Sequence, residues 1–241
     1  MDTVIMLNKG ENIIRKDVTC IGIWMANRHW YQEVGADNYI ELYLNGRKIV
    51  ERGFKYLLAG DIPFPCEFKI PANSVLRLEI PPYDSKVERV SLICKEGLQG
   101  EGEGYLYGFG IFPEAGSSSS EFGYAIIKPF PGEKFVIKKW AFFTAENNSS
   151  TPIFPTAAYE IYGTIDITKD EIPFNEKVFF DTVFSKRNFF QDVNIEFKKL
   201  LYFKVESTRI GPGSPPNQKK VYPFVLAFIK RYKLKDHESG K

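Results

Sequence analysis

The chain has 241 residues, 44% of them hydrophobic and 26% charged, and carries a formal net charge of +2. That balance excludes wholesale disorder, which needs low hydrophobicity and high charge, and it provides no strong field to draw in nucleic acid. The length suits one large domain or two of about 115 residues, either able to bury a core.

The chain opens with Val4-Ile5-Met6-Leu7, Asn8-Lys9-Gly10 and Ile13-Ile14, which read as strand, turn, strand. Val18 to Met25 follows as a buried strand of β-branched and large apolar residues. Arg28-His29-Trp30-Tyr31-Gln32-Glu33 reads as a loop rich in aromatics. Tyr39 to Leu44, Asn45-Gly46 and Arg47 to Val50 then give the strongest local signal. Asn-Gly tolerates the positive φ angles of a two-residue type I′ turn, so this segment is a β-hairpin. Further along, Ile62-Pro63-Phe64-Pro65 excludes helix, and Cys66 to Ile70 alternates as a strand until Pro71-Ala72-Asn73. Val75 to Ile80 and Arg89 to Cys94 are the next strands. Turn signals every 8 to 12 residues mark a sandwich or barrel.

Gly97 to Gly123 holds 8 of the 19 glycines and the run Ser117 to Ser120, and reads as a seam between two similar β domains. Of the 21 Phe, 16 lie after residue 121, where they must supply most of a second core. The same features recur across the seam. Gly10-Glu11 matches Gly132-Glu133, and Ile62-Pro63-Phe64 matches Ile172-Pro173-Phe174. Val75 to Ile80 matches Leu200 to Val205, and Lys86-Val87 leading to Val90 matches Lys220-Val221 leading to Phe224. The expected fold is all-β: two tandem antiparallel β-sandwich (jelly-roll-like) domains from a diverged duplication. The limits drawn are 1–112 and 124–232, with a seam at 113–123 and a charged tail at 233–241. Within the second half, Asp192 with Val193, Phe197, Leu200 and Leu201 also fits a capped amphipathic helix. The basic run from Lys230 onward holds too few apolar residues to pack and reads as a solvated end.

Three cysteines without close spacing, Cys20, Cys66 and Cys94, suit neither a disulfide framework nor a zinc site, and read as small buried residues in a reducing compartment. The first residues lack a basic n-region, so no signal peptide is expected, and no apolar run reaches the ~20 residues of a membrane span. The expected site of synthesis is a cytoplasm.

No catalytic, cofactor-binding or metal constellation stands out. His29 and His237 are the only histidines, and there is no Gly-x-Ser-x-Gly elbow, paired Cys-x-x-Cys or His-x-x-x-His. Gly100-Glu101-Gly102-Glu103-Gly104 lacks a lysine and would repel phosphate; its two glutamates read as a soluble acidic loop rather than Ca²⁺ ligands. A carboxylate pair of the glycosidase kind stays open. The candidate binding surface is Arg28, His29, Trp30 and Tyr31, because loop aromatics can stack on a sugar or anchor a partner. The competing reading folds Trp30 back as a lid on the core. Trp24 and Trp140, inside apolar strands, are assigned to the core.

A tandem of small β-sandwiches with these features resembles the structural proteins of bacterial and archaeal viruses. The similarity covers the whole chain as architecture and composition, without a shared motif. It implies a non-enzymatic virion subunit, a capsid, spike or tail component, that assembles with copies of itself and with other structural proteins. Double jelly-roll capsid subunits are usually longer, which favours a minor, spike or adaptor role over a major capsid one. The alternative, from the aromatic loop, is a carbohydrate-binding or lectin-like module whose partner is a glycan. A glycosidase is the third reading.

Overall fold

A computed structural model describes residues 2–26, 39–60, 62–80, 89–113, 121–146, 161–179, 190–210 and 221–234. Among them the chain is almost entirely β. In the first part the strands are β1 (Thr3–Leu7), β2 (Gly10–Ile14), β3 (Val18–Ala26), β4 (Tyr39–Leu44), β5 (Arg47–Phe54), β6 (Phe64–Ile70), β7 (Ser74–Glu79) and β8 (Arg89–Glu96), with a single helical turn, α1 (Lys55–Leu58), after β5. Later come β9 (Glu103–Gly110), β10 (Phe112–Pro113), β11 (Glu121–Ile127), β12 (Glu133–Glu146), β13 (Ile161–Lys169), β14 (Ile172–Phe179), β15 (Gln191–Phe197), β16 (Leu201–Ile210) and β17 (Val221–Lys233).

Their pairing repeats one pattern twice. β1-β8-β3-β6 form one sheet, and β2-β7-β4-β5 lie in the same order along a second. With β9 taken as the first strand, β9-β17-β12-β15 and β11-β16-β13-β14 reproduce that order, and β10 adds a short edge beside β11. Each set of eight is a jelly roll, in which successive strands alternate between two facing sheets except at one hairpin in each, β4–β5 and β13–β14, whose two strands share a sheet. The expected all-β, jelly-roll-like fold is therefore present. β9, which lies before the limit drawn at residue 112, pairs with β17 from Glu103 to Gly110 but with β5 only at Val50 and Glu51. Its main pairing is thus with the later strands, and the glycine-rich stretch holds a strand as well as a connection.

That short β5–β9 pairing is parallel, and it fuses the two inner sheets into one of eight strands, β15-β12-β17-β9-β5-β4-β7-β2. Strand alternation then places successive residues of one strand in different cores. Phe224, Leu226 and Phe228 of β17 pack into the first core with Leu42, Val50 and Phe68; Val225, Ala227 and Ile229 pack into the second with Phe135, Trp140 and Phe203. On β9 the alternation separates glycines from aromatics. Tyr105 and Phe109 enter the second core, whereas a Cβ on Gly104 would lie 1.9 Å from the Glu67 carbonyl oxygen and one on Gly108 would lie 2.0 Å from that of Arg52. Arg52 itself is left-handed (φ 50°), bending β5 across Gly108.

The turns follow local chemistry. Asn45 (φ 49°) and Gly46 (φ 81°) make the expected hairpin, and Asn45 Oδ1 also accepts a hydrogen bond from the Val75 N–H at 2.9 Å, tying the turn to β7. The β13–β14 turn uses no glycine: Asp170 (φ 48°) and Glu171 (φ 71°) fill it. The Asp170 carboxylate accepts from the backbone N–H groups of Lys198 (2.8 Å), Lys199 (2.5 Å) and Leu200 (3.1 Å), which fixes the β15–β16 connection.

Several expectations change. Asp192 to Phe197 is strand rather than helix, since β15 is held by its pairing with β12, and 198–200 are the connection to β16, where Leu201 begins the next strand. Trp24 is 36% exposed on the outer side of β3, because its parity opposes that of the core residues Ile23 and Met25; its indole N–H donates to the Gly60 carbonyl at 2.8 Å. Trp140 is buried as expected. Lys230 and Arg231 are buried within β17 instead of opening a solvated tail; residues 235–241 lie outside the described residues. Of the four sequence matches across the seam, Leu76 to Glu79 with Leu201 to Lys204 fall on the equivalent seventh strands, and Val90 with Phe224 on the equivalent eighth strands. Glu11 and Glu133, and Phe64 and Phe174, sit on strands one place out of step.

Two outcomes follow from this packing. Gly108→Ala should destabilise the protein by about 1–3 kcal/mol or more, because the new methyl meets backbone rather than a yielding side chain; a denaturant midpoint measures it. For Asp170, burial works to raise the carboxyl, but the three N–H groups outweigh it and hold it below the usual carboxylate range. A depressed folded value contributes stability above the unfolded value of about 3.9 and loses it as the pH falls through the folded one. Asp170→Ala should therefore cost about 1–3 kcal/mol at pH 7. Urea midpoints of the variant and the parent should converge toward strongly acid pH, and a constant gap would contradict this.

Candidate functional site

Arg28, His29, Trp30 and Tyr31 lie outside the described residues, as do both histidines. Three other regions of the described surface have enough chemistry to be weighed: a charged cleft on the first roll, the joint between the rolls, and the outer apolar faces.

The cleft, about 450 Å³, lies beside β2, β4 and β7 and is lined by Lys9, Tyr39, Glu41, Arg77 and Glu79 among others. Strand alternation places these polar residues opposite the core residues Ile40, Leu42, Leu76 and Leu78. Glu41 accepts from Tyr43 Oη at 2.6 Å and from Lys48 Nζ at 2.8 Å, while the Arg77 guanidinium lies 4.3 Å from the Tyr43 ring centre and 2.6 Å from Glu79. Burial tends to raise the Glu41 carboxyl, but the hydrogen bonds from Lys48 and Tyr43 prevail and lower it. Glycoside hydrolysis needs one carboxyl kept protonated near neutral pH beside an ionised partner. Glu41 is lowered instead, which does not suit it to that acid role, and Glu79 pairs with Arg77.

Glu101 and Glu103 are drawn into the joint. Glu103 pairs with Arg47 across the β5–β9 junction, and the Glu101 carbonyl accepts from Lys230 Nζ at 2.9 Å. Lys230 also pairs with Glu67 of β6, so it ties the outer sheet of the first roll to β17. One strand over, Glu133 holds Arg231 through two hydrogen bonds of 2.7 Å and takes a third, 3.2 Å, from Arg47. The Arg231 guanidinium stands 4.3 Å from the Phe130 ring centre and 5.6 Å from that of Tyr105. Planar, doubly bonded and stacked, it uses the features that distinguish arginine from lysine. The acidic segment is thus a built part of the joint rather than a soluble loop. Among the described residues no group of three or more His, Cys, Asp or Glu could hold a metal ion.

The three cysteines, distant in sequence, come together in the first core. Cys20 pairs with Cys94 across β3 and β8, and its Sγ is 3.6 Å from that of Cys66. All three are free and buried. Burial first, then the contact with Cys66, pushes the Cys20 thiol up, so it packs as an apolar group and lacks the low pKa of a nucleophile.

The outer faces are more apolar than a solvated surface requires. On the first roll, Val4 and Met6 of β1, Ile93 of β8 and Trp24 of β3 share the side of the sheet away from the core, with Val4 paired to Ile93 and Ser91 lying between Met6 and Trp24. On the second roll, Tyr124 and Ile126 of β11 stand beside Tyr202 of β16, and the Tyr124 and Tyr202 rings stack at 6.4 Å. Sequence reasoning missed both, because the residues involved resemble core strands; the parity of Trp24 against Ile23 and Met25 was the available signal.

These features define a double jelly roll with a cross-braced joint and apolar outer faces. No protein-family model and no curated protein matches the sequence. Among solved structures, the chain is similar to the major capsid protein P2 from bacteriophage PM2, at 8% identity over 97% of this chain and 98% of that one, with a TM-score of 0.49. It is also similar to the STIV MCP, at 13% identity over 95% and 91%, TM-score 0.45. PNGase F, a glycosylasparaginase from Flavobacterium meningosepticum, matches at 8% identity over 97% and 100%, TM-score 0.31. At these values the likeness is one of architecture, and no residue here takes a role from it.

Removing Glu133 would leave Arg231 buried without its carboxylate. Glu133→Ala should cost about 3–5 kcal/mol, whereas Glu133→Leu combined with Arg231→Met should cost far less, because no charge is then stranded. Chemical denaturation of the two variants separates these outcomes.

Proposed function

We propose that the chain is a structural subunit of a virion, a capsid, spike or tail component, acting by self-assembly and contacts with other structural proteins and not by catalysis. The observation that carries this reading is the fusion of two jelly rolls through one continuous sheet. A subunit of a shell or fibre must hold its contact faces at fixed angles, and a shared sheet braced by Lys230–Glu67 and Arg231–Glu133 does that within one chain. The apolar outer faces of both rolls supply surface for such contacts, since association draws on buried apolar and aromatic area. The virion is then its location, with synthesis in the host cytoplasm, and the duplication of an ancestral roll accounts for the repeated strand order.

The solution mass, measured by light scattering across protein and salt concentration and followed by electron microscopy, tests this. A discrete oligomer or larger closed assembly that persists in high salt is expected, because apolar contacts are not screened. A monomer at every concentration, together with retention in affinity electrophoresis through polysaccharide that Trp30→Ala abolishes, would replace this reading with the glycan-binding one.

A further inference from the structure

A sheet edge presents unpaired N–H and C=O groups that invite another strand, and proteins that must avoid this place proline or charge there. Among the described residues the three sheets have six edges: β1 and β6, β15 and β2, β10 and β14. Five carry such protection. β6 has Pro65, Glu67 and Lys69; β15 has Asp192 and Glu196; β2 has Glu11; β10 is two residues long and ends in Pro113; β14 has Pro173. β1, Thr-Val-Ile-Met-Leu, has neither charge nor proline, and its outward side chains Val4 and Met6 are 58% and 61% exposed.

We propose that β1 is an assembly edge that pairs antiparallel with β1 of a second copy. Opposed residues in a sheet must point to the same face, so a two-fold axis has to pass through a residue. Centring it on Ile5 uses the whole strand. Thr3 then faces Leu7 of the partner copy, Val4 faces Met6, and Ile5 faces itself. No like charges meet, every outward pair is apolar, and the residues that point inward, Ile5 and Leu7, continue the existing core wall. Such self-complementarity is what an interface between identical copies requires, and it selects a second copy over an unrelated strand. The two four-stranded outer sheets become one of eight, and the apolar rows of Val4, Met6, Ile93 and Trp24 from both copies lie on the same side of it. This deepens the virion-subunit reading by naming one of its contacts.

The opposed positions allow a charge-swap test in the full chain. Val4→Lys with Met6→Lys sets ammonium groups opposite each other twice per dimer, whereas Val4→Lys with Met6→Glu sets each ammonium opposite a carboxylate. The first pair of changes should raise the dissociation constant of the dimer, or of the step built on it, by roughly 10- to 100-fold; the second should bring it back to within about tenfold of the parent. Sedimentation velocity across concentration reads both, with circular dichroism and melting curves as the check that these exposed substitutions leave the fold intact. A parent protein that stays monomeric, or an oligomer whose mass and dissociation constant are equal in all three proteins, would overturn the β1 edge. The second result would leave the virion reading standing through another surface. A dimer that follows the charge pattern yet never builds larger particles would support the edge and count against the shell.

Discussion

The structure depends on β9 having two unlike faces. Gly104 and Gly108 leave room on one side for the backbones of β6 and β5 to pass where a methyl group would sit, and Tyr105 and Phe109 fill the second core on the other. Without the close approach β5 could not reach β9, and the parallel contact at Val50 and Glu51 that joins the rolls would not form. Glycine in a strand interior is otherwise a weakness, since it brings no side chain to pack and loses more freedom on folding. Here the cost is offset by a wall that serves two cores.

The charged groups around this junction share its logic. Arg231 and Lys230 are adjacent, so they leave β17 on opposite sides: one meets Glu133 and the rings of Phe130 and Tyr105, the other meets Glu67 and the Glu101 carbonyl. Buried pairs of this kind often add little net stability compared with well-packed apolar groups. Their geometry is nevertheless directional, and a directional contact at a junction resists sliding that an apolar contact tolerates.

Much of the architecture was legible in the sequence because it rests on local chemistry. Asn45-Gly46 specifies its own turn, Pro65 confines β6 to an edge, and alternation from Val75 to Ile80 marks a strand whatever surrounds it. The second roll's first strand was not legible, because the glycines of β9 are justified only by neighbours far along the chain. The turn at Asp170 was missed for a similar reason, since its stabilising N–H groups come from residues 198–200. Trp24 was misplaced by treating an apolar strand as uniformly buried when only alternate residues face the core. The candidate surface at residues 28–31 was a reading of side-chain type, which carries no information on the sheet edges and faces that strand order decides.

The alternation along β17 also bears on the order in which the chain can fold. All eight strands of the first roll precede residue 97, yet its core is completed by Phe224, Leu226 and Phe228. During synthesis these side chains arrive after every strand they touch, and loop closure over such separations is slow. The first roll therefore spends the time needed to make more than a hundred further residues with one wall of its core uncovered. That interval is when correct and incorrect contacts compete for the same apolar surface.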